Sequence, residues 1–176
     1  VTRLNANAPT ANWCEVWNNR LWLSGTGSNK NTIYGSTIND PEDWTIDDDS
    51  GAITLGIMIG DGDVISALSV FRGNLVVYKT KAIYIVSAIS APATIPSNLR
   101  VDLYTNQFGT RMPESIQNVL DDQIFLSRSG ITSLVLAPLG DIRGVILSNN
   151  IAELSTMTQS FSTIPICFSF VISVMQ

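Results

Sequence analysis

The chain has 176 residues, of which 45% are hydrophobic and 14% are charged, a composition that can bury a single-domain core and excludes a wholly disordered chain. Its net charge of -5 has the wrong sign for a protein whose overall field gathers nucleic acid. The absence of histidine removes the commonest general base, the Ser-His triads and every His-dependent metal site, so we expect no catalysis.

Three segments of the chain share one pattern, in which a turn of polar residues or glycine separates two apolar strands. A further strand follows each pair, after Thr80-Lys81 in the second copy and after Gly130 in the third. The pattern predicts a three-strand meander in each copy. The copies are residues 14–24 with 32–34, residues 68–78 with 82–86, and residues 116–127 with 131–135.

The copies recur at a nearly constant spacing. Aligned on Trp17, Phe71 and Leu120, they lie 54 and 49 residues apart, close to the period of about 50 residues in kelch-like blades. Their turns read Asn-Asn-Arg, Arg-Gly-Asn and Asp-Asp-Gln, residue types that tolerate positive φ and favour hairpins.

These observations predict an all-β protein of repeated antiparallel meanders of β-propeller type, either an incomplete propeller or part of a larger one. We expect one domain over 1–176, with approximate blades at 13–50, 64–100 and 113–140 and a terminal segment, 141–176, that matches poorly. A propeller closes with at least about four blades, so blade number and ring closure stay open. So does the question of whether Gln176 is a natural end.

The last part of the chain carries two weaker signals. Residues 149–154 are the best candidate for a helix, with an Asn cap and one or two turns. Residues 164–175 are apolar but interrupted by Pro and Ser, which favours a buried β-segment over a membrane span.

Two acidic segments are candidate sites for a hard cation such as calcium, which prefers several oxygen ligands from one loop. The first, a run of acidic residues within 40–49, lacks EF-hand spacing, so we favour an exposed loop for it. The second, Asp61-Gly62-Asp63, is typical of a turn. The first run consists of Asp40, Glu42, Asp43, Asp47, Asp48 and Asp49.

Other features have structural interpretations. Residues 25–30 (Gly-Thr-Gly-Ser-Asn-Lys) lack the ending of a phosphate loop and predict a hairpin loop. Lys79-Thr80-Lys81 is expected to point outward into solvent. The two cysteines lack paired spacing, and we expect both to be buried free thiols. Trp22 is assigned to the core, whereas Trp13 could pack inside or stack on a sugar. The cysteines are Cys14 and Cys167.

The segment from Ser36 to Trp44 is similar to the Ser-x-Asp-x-Gly-x-Thr-Trp turn of sialidase propellers, with a spacing off by one and no glycine. That turn is structural, with its Trp packed under the loop. We therefore assign no catalytic, cofactor-binding or metal-binding residue, and no cofactor.

Three phrases in fixed order resemble the blade region of tail proteins from short-tailed bacteriophages, and the likeness covers roughly residues 13–155. The first contains Asn-Arg-Leu-Trp-Leu-Ser-Gly at 19–25 and Asp-Pro-Glu-Asp-Trp at 40–44. The others are Gly-Asp-Gly-Asp-Val-Ile-Ser-Ala-Leu at 60–68 with Arg-Gly-Asn-Leu-Val-Val-Tyr-Lys at 72–79, and Asn-Gln-Phe-Gly-Thr-Arg at 106–111 with residues 122–131.

Those phage proteins are tail hub, nozzle or packaged-DNA stabilisation components, which form rings of identical copies below the portal. The resemblance implies a virion protein of the phage tail that is assembled in the host cytoplasm and acts, without catalysis, as a scaffold or channel-closing hub in DNA ejection. Its expected partners are other tail or portal proteins and further copies of itself, without sequence-specific binding of nucleic acid and without a membrane. The alternative function is a β-propeller module that binds a glycan or a receptor.

Overall fold

The computed structural model describes residues 8–46, 51–88, 98–136 and 142–147, and the strands in these ranges form three four-stranded antiparallel sheets. The prediction of an all-β fold is confirmed, since the described residues contain strands and short 3-10 turns but no α-helix. In the same ranges, no helix is long and apolar enough to cross a lipid bilayer.

Each sheet is a meander in which every strand pairs with the next one along the chain. The first sheet contains β1 (Ala11–Trp17), β2 (Arg20–Gly25), β3 (Thr32–Gly35) and β4 (Ile53–Gly56). The second contains β5 (Ile65–Phe71), β6 (Asn74–Lys79), β7 (Ile83–Ala88) and β8 (Leu99–Thr105). The third contains β9 (Gln117–Val119), β10 (Asp122–Ser127), β11 (Gly130–Leu136) and β12 (Ile142–Ile146).

The repeat unit has four strands and not the predicted three. The additional strands are β4, β8 and β12, which form one edge of each sheet. β12 also shows that residues 142–146, assigned to the poorly matching terminal segment, pair with β11. The predicted helix at 149–154, the apolar run at 164–175 and Cys167 lie outside the described residues.

A two-residue turn opens each sheet, as the turn residues predict. The closing pairs are Trp17 with Arg20, Phe71 with Asn74, and Val119 with Asp122. The third copy therefore aligns on Val119, one residue before the predicted Leu120. Leu120 lies in the turn itself with a φ of 53° and is fully exposed, so it cannot occupy the strand position of Trp17.

The second sheet lies between the other two and buries both of its faces. Alternation along its strands directs Leu75 and Val77 toward a cluster with the first sheet, and Val76 and Tyr78 toward a cluster with the third. Every residue of β6 after Asn74 is buried. The core therefore consists of two layers of side chains, one on each side of this sheet.

The prediction of a buried Cys14 was wrong, because Cys14 is exposed. Side chains alternate along β1, so Cys14 and Val16 lie on the face opposite to the buried Trp17. No described sheet covers that face. Trp22 has no solvent exposure, as predicted, and Trp13 is partly buried against the core.

Candidate functional site: the seams between successive sheets

The candidate functional site is the pair of seams at which the three sheets pack on one another. We call the face that a sheet turns toward the next sheet its forward face, and the opposite face its rear face. Hairpin register places Trp17, Phe71 and Val119 at equivalent forward positions, and Val16, Val70 and Asn118 at equivalent rear positions.

The seam between the first and second sheets is mainly apolar. Trp17 and Trp22 on the forward face of the first sheet join one buried cluster with Leu75 and Val77 on the rear face of the second. The two indole rings are 5.8 Å apart. Each indole N–H is satisfied, since Trp17 Nε1 donates to Gly73 O at 2.7 Å and Trp22 Nε1 donates to Trp17 O at 3.0 Å.

The seam between the second and third sheets contains a buried polar network. Tyr78 Oη donates to Gln123 Oε1 at 2.6 Å, and Gln123 Nε2 donates to Ser69 Oγ at 2.8 Å and to Asn118 Oδ1 at 2.7 Å. The Tyr78 and Phe125 rings meet edge to face at 5.1 Å. Burial, followed by the nearby Tyr104, raises the pKa of Tyr78 well above 10, so its hydroxyl stays a neutral donor.

The opening hairpins of successive sheets also touch one another. Trp17, at the first hairpin, bonds to Gly73 in the second. Arg72, in the second, donates to Asp121 O at 2.8 Å and lies 3.1 Å from the Asp121 carboxylate in the third. All three hairpins therefore lie at the same end of the packed sheets.

The linker before the second sheet is fixed by a buried lysine. Lys79 Nζ has no solvent exposure and lies 2.7 Å from Asp61 Oδ2 and 3.2 Å from Met58 O. Desolvation raises the pKa of Asp61, but the Lys79 hydrogen bond and charge and the Asp63 N–H outweigh it, so the pKa is lowered. The prediction that Lys79 points into solvent was therefore wrong.

The turn Asp61-Gly62-Asp63 uses its carboxylates within the chain. Asp63 Oδ1 accepts hydrogen bonds from the Val64 N–H at 2.9 Å and from the N–H and hydroxyl of Thr80, and its Oδ2 accepts one from the Lys81 N–H at 2.9 Å. The segment is thus a turn that docks onto the β6–β7 connection. These bonds occupy the oxygens that a cation would need.

In the described part of the first acidic run, Asp40 and Asp43 accept hydrogen bonds from nearby backbone N–H groups. Asp40 accepts the Glu42 N–H and Asp43 accepts the Thr45 N–H, each at 3.0 Å. The bonds from Thr45 lower the pKa of Asp43. Asp47, Asp48 and Asp49 lie outside the described residues. Within the described ranges, no three His, Cys, Asp or Glu side chains stand close enough together to hold a metal ion.

The segment from Ser36 to Trp44 folds back on the first sheet. Ser36 Oγ accepts the Leu21 N–H at 3.0 Å, and Trp44 is buried. The guanidinium of Arg20, itself buried, donates to the carbonyls of Ser36 and Gly51. The sequence analysis placed Arg20 in the turn of the first copy. Its position directly after the two-residue turn, where the strand begins, was the available signal.

The glycine-rich residues 25–30 form a loop around a short 3-10 turn at Gly27–Asn29. The end of this loop lines a cleft of about 330 Å³ together with the connection from β4 to β5, which contributes Ile59, Gly60, Gly62 and Asp63. Asp63 at its wall is already fully bonded to the chain, as described above.

A second cleft, of about 250 Å³, lies where the beginnings of the three sheets meet. Its walls come from β1, β5 and the segment before β9, so the first strands of the sheets lie close to one another. Asn118 Nδ2 on β9 also donates to Val70 O on β5 at 3.4 Å. Glu15 and Glu114 are among the residues that line this cleft.

Sequence reasoning missed the seam residues Gln123, Ser69 and Asn118. The signal was weak, because a polar side chain at an inward strand position resembles an outward one unless the register is known.

No protein-family model matches this sequence, and no curated protein matches it.

Proposed function

We propose that the chain is a non-catalytic structural scaffold of β-propeller-type blades that forms part of a bacteriophage tail or portal-proximal assembly. The observation that carries the proposal is the repeated seam. Three four-stranded meanders pack forward face on rear face, with their opening hairpins at one end.

The propeller-type arrangement is supported by the position of the first strands. β1, β5 and the segment before β9 converge on one cleft, while the fourth strand of each sheet forms its far edge. Sheets that radiate from a common axis with the first strand innermost have this relation. A stack of parallel layers would not bring three first strands together.

The absence of catalysis is supported by how the buried polar groups are used. Lys79 pairs with Asp61, Asp63 caps a chain connection, and Gln123 joins two sheets. Such bonds fix the geometry of one sheet relative to the next and leave those groups no capacity for a substrate.

The net charge suits a component that acts through protein interfaces and does not bind DNA tightly. The chain carries a net charge of -5, and Glu15 and Glu114 line the cleft at the first strands. A protein with this charge repels phosphates and therefore does not hold DNA by releasing counterions.

The experiment is to locate the chain in particles of the phage whose genome encodes it. Antibodies against the purified chain, bound to gradient-purified particles, should label the tail vertex in electron micrographs, and mass spectrometry should detect the chain at a fixed number of copies per particle. Particles that lack the chain altogether would overturn the proposal.

A glycan titration separates the scaffold from the receptor-binding alternative. Trp17, Trp22 and Trp44 are buried and only Trp13 is partly open, so a sugar has little tryptophan surface on which to stack. We expect tryptophan fluorescence to stay constant as mono- and oligosaccharides are added. Saturable quenching that is lost in Trp13→Ala would instead favour the lectin function.

A further inference from the structure

The cleft between the loop that precedes β3 and the connection from β4 to β5 has a polar inner wall. Three of its lining residues, Asn31, Thr32 and Asp63, are buried and form its inner end. Its volume of about 330 Å³ lies in the range of small-molecule sites. The other lining residues are exposed and form the mouth of the cleft, namely Ser28, Asn29, Lys30, Ile59, Gly60 and Gly62.

Asn31 contributes a buried acceptor that has no donor. The residue is only 7% exposed, and its Nδ2 donates to Asp61 Oδ1 at 3.5 Å. Among the described residues, nothing donates a hydrogen bond to Asn31 Oδ1. A buried amide oxygen that lacks a donor costs free energy, and a ligand that donates to it recovers that cost. The inner wall therefore favours a ligand with an N–H or O–H group.

The buried charges beside this oxygen do not balance. Lys79 is paired with Asp61, the carboxylate that Asn31 contacts. Asp63 is also buried, and in the described part of the chain it accepts hydrogen bonds from backbone N–H groups and the Thr80 hydroxyl but forms no ion pair. A carboxylate held away from water attracts a cation more strongly than one in solution does. The inner wall therefore favours a positively charged donor.

A protonated amine meets both requirements, whereas a metal ion and an anion do not. A hard cation needs several oxygen ligands, and no three metal-binding side chains stand together among the residues that the structure describes. An anion would be repelled by Asp63 and would bring no donor to Asn31 Oδ1. An ammonium group needs only hydrogen-bond acceptors, and water at the open mouth can accept those N–H groups that do not reach Asn31.

We propose that this cleft binds a protonated aliphatic amine, with its ammonium group donating to Asn31 Oδ1 beside Asp63 and its methylene chain against Ile59. Ile59 is 76% exposed at the mouth and offers apolar surface to such a chain. Lys30 is exposed to solvent, which screens its repulsion of the ammonium group. A free diamine and the lysine side chain of another protein both supply this chemistry. The site does not depend on the proposed scaffold function.

Titration with butylamine, followed by two-dimensional NMR, tests the site. The amine should shift the Asn31 side-chain amide and the Gly60 and Gly62 N–H resonances in a saturable way. The neutral 1-butanol, of the same length, should bind at least about 10-fold more weakly. Asn31→Leu removes the acceptor at similar shape and should weaken amine binding at least about 10-fold. Lys30→Gln removes a like charge and should strengthen it about two-fold.

A change at the mouth tests the cleft without altering its buried wall. Ser28→Arg adds bulk and positive charge and should abolish amine binding, even if Asn31→Leu does not fold. Ser129→Arg, the same change at an exposed turn of the third sheet, is the matched control and should bind like the unmodified chain. Near-UV circular dichroism checks the folding of each variant.

Two further ligands separate the sources of the amine. Tighter binding of 1,4-diaminobutane than of Nα-acetyl-lysine methylamide would support a free diamine, and the reverse order would support a lysine side chain.

The inference would be overturned by the absence of saturable shifts, by equal binding of 1-butanol, or by displacement of the amine by an equimolar concentration of calcium. Unchanged binding in Asn31→Leu or in Ser28→Arg would also overturn it. Saturable binding of phosphate that is weakened in Lys30→Gln would overturn it in favour of an anion site. None of these results bears on the presence of the chain in phage particles.

Discussion

The side chain of Lys79 has no solvent exposure, and its charge is balanced by the Asp61 carboxylate, whose Oδ2 lies 2.7 Å from Lys79 Nζ. A buried ammonium is costly unless a counter-charge and further acceptors surround it. Met58 O supplies one such acceptor at 3.2 Å, and the Tyr84 ring lies 5.5 Å away. Lys79 thus fixes the linker 57–64 against the second sheet.

Replacing Lys79 with methionine should test this role. Lys79→Met keeps the buried stem but leaves Asp61 without its partner, and we expect the free energy of unfolding to fall by about 2 kcal/mol. The loss stays below the ~3–5 kcal/mol of a fully buried pair, because Asp61 is partly exposed and can regain water. Urea denaturation measures it. Lys81→Met, at an exposed side chain, should change stability by less than about 0.5 kcal/mol, and equal losses in both variants would contradict the role of Lys79.

The lowered pKa of Asp61 predicts a dependence of stability on acid. The folded chain holds this carboxyl ionised, so its contribution is present above the unfolded-state pKa of about 3.9 and is lost as pH falls through the lower folded value. Between pH 6 and pH 3, Asp61→Asn should lose less unfolding free energy than the unmodified chain. Lys79→Met should show the same reduction, because it removes the charge that lowers the pKa. An unchanged acid dependence in both variants would refute this prediction.

Whether the burial of a single residue could be predicted from the sequence depended on whether its contacts come from residues nearby in the chain. Trp22 could be assigned to the core from strand alternation alone. Lys79 and Arg20 could not, because their partners lie 18 and 16 to 31 residues away and come together only when linkers fold back on the sheets. Cys14 was misassigned because its burial depends on whether another sheet covers that face.

Among the elements, the opening hairpins show why particular turn residues are needed. Arg72 and Gly73 have φ of 49° and 76°, the left-handed values of a type I′ turn. A Cβ on Gly73 would meet nothing within 4 Å, so only conformation is at stake there. At Gly109, in the connection from β8 to β9, a Cβ would by contrast lie 2.1 Å from Lys79 O.

Alanine at these two glycines should therefore have different effects. Gly73→Ala should cost about 1 kcal/mol from the left-handed conformation alone. Gly109→Ala should cost about 3 kcal/mol or more, because backbone atoms must move to admit the methyl group. Thermal unfolding monitored by circular dichroism compares them. A larger loss for Gly73→Ala than for Gly109→Ala would contradict the close approach at Gly109.

The burial of β6 on both faces predicts a gradient of local stability. Its amides open only when both neighbouring sheets separate, whereas β4 and β8 are edge strands with exposed side chains. In hydrogen exchange followed by NMR, the amides of β6 should be the slowest of the second sheet and those of β8 among the fastest. Equal protection in both strands would contradict the sandwiched position of the second sheet.

The strands whose sequence signals lie within a few neighbouring residues were the ones that could be predicted. Two-residue turns between alternating strands identified the opening hairpins, with an error of one residue in the third copy. The fourth strands were missed. β4 has only four residues, and β8 carries Arg100 and Asp102 on an open edge, a composition that protects an edge but resembles a loop in the sequence.

At the scale of the whole molecule, the period of about 50 residues corresponds to successive sheets that each pack on the next one along the chain. Such an architecture grows by repeating the contact between neighbouring sheets. The period can be recognised in the sequence. Which side of each sheet packs on its neighbour cannot, because it depends on the register of strand pairing. The proposed blade-like arrangement rests on this repeated packing of one sheet on the next.

The arrangement of the sheets around an axis is the central claim, and a crystal structure of the purified chain tests it most directly. We predict that β1, β5 and β9 lie innermost, side by side around one axis, with β4, β8 and β12 outermost. Sheets stacked as parallel layers, with the first strands of the first and third sheets separated by the full thickness of the second and no shared axis, would contradict the account.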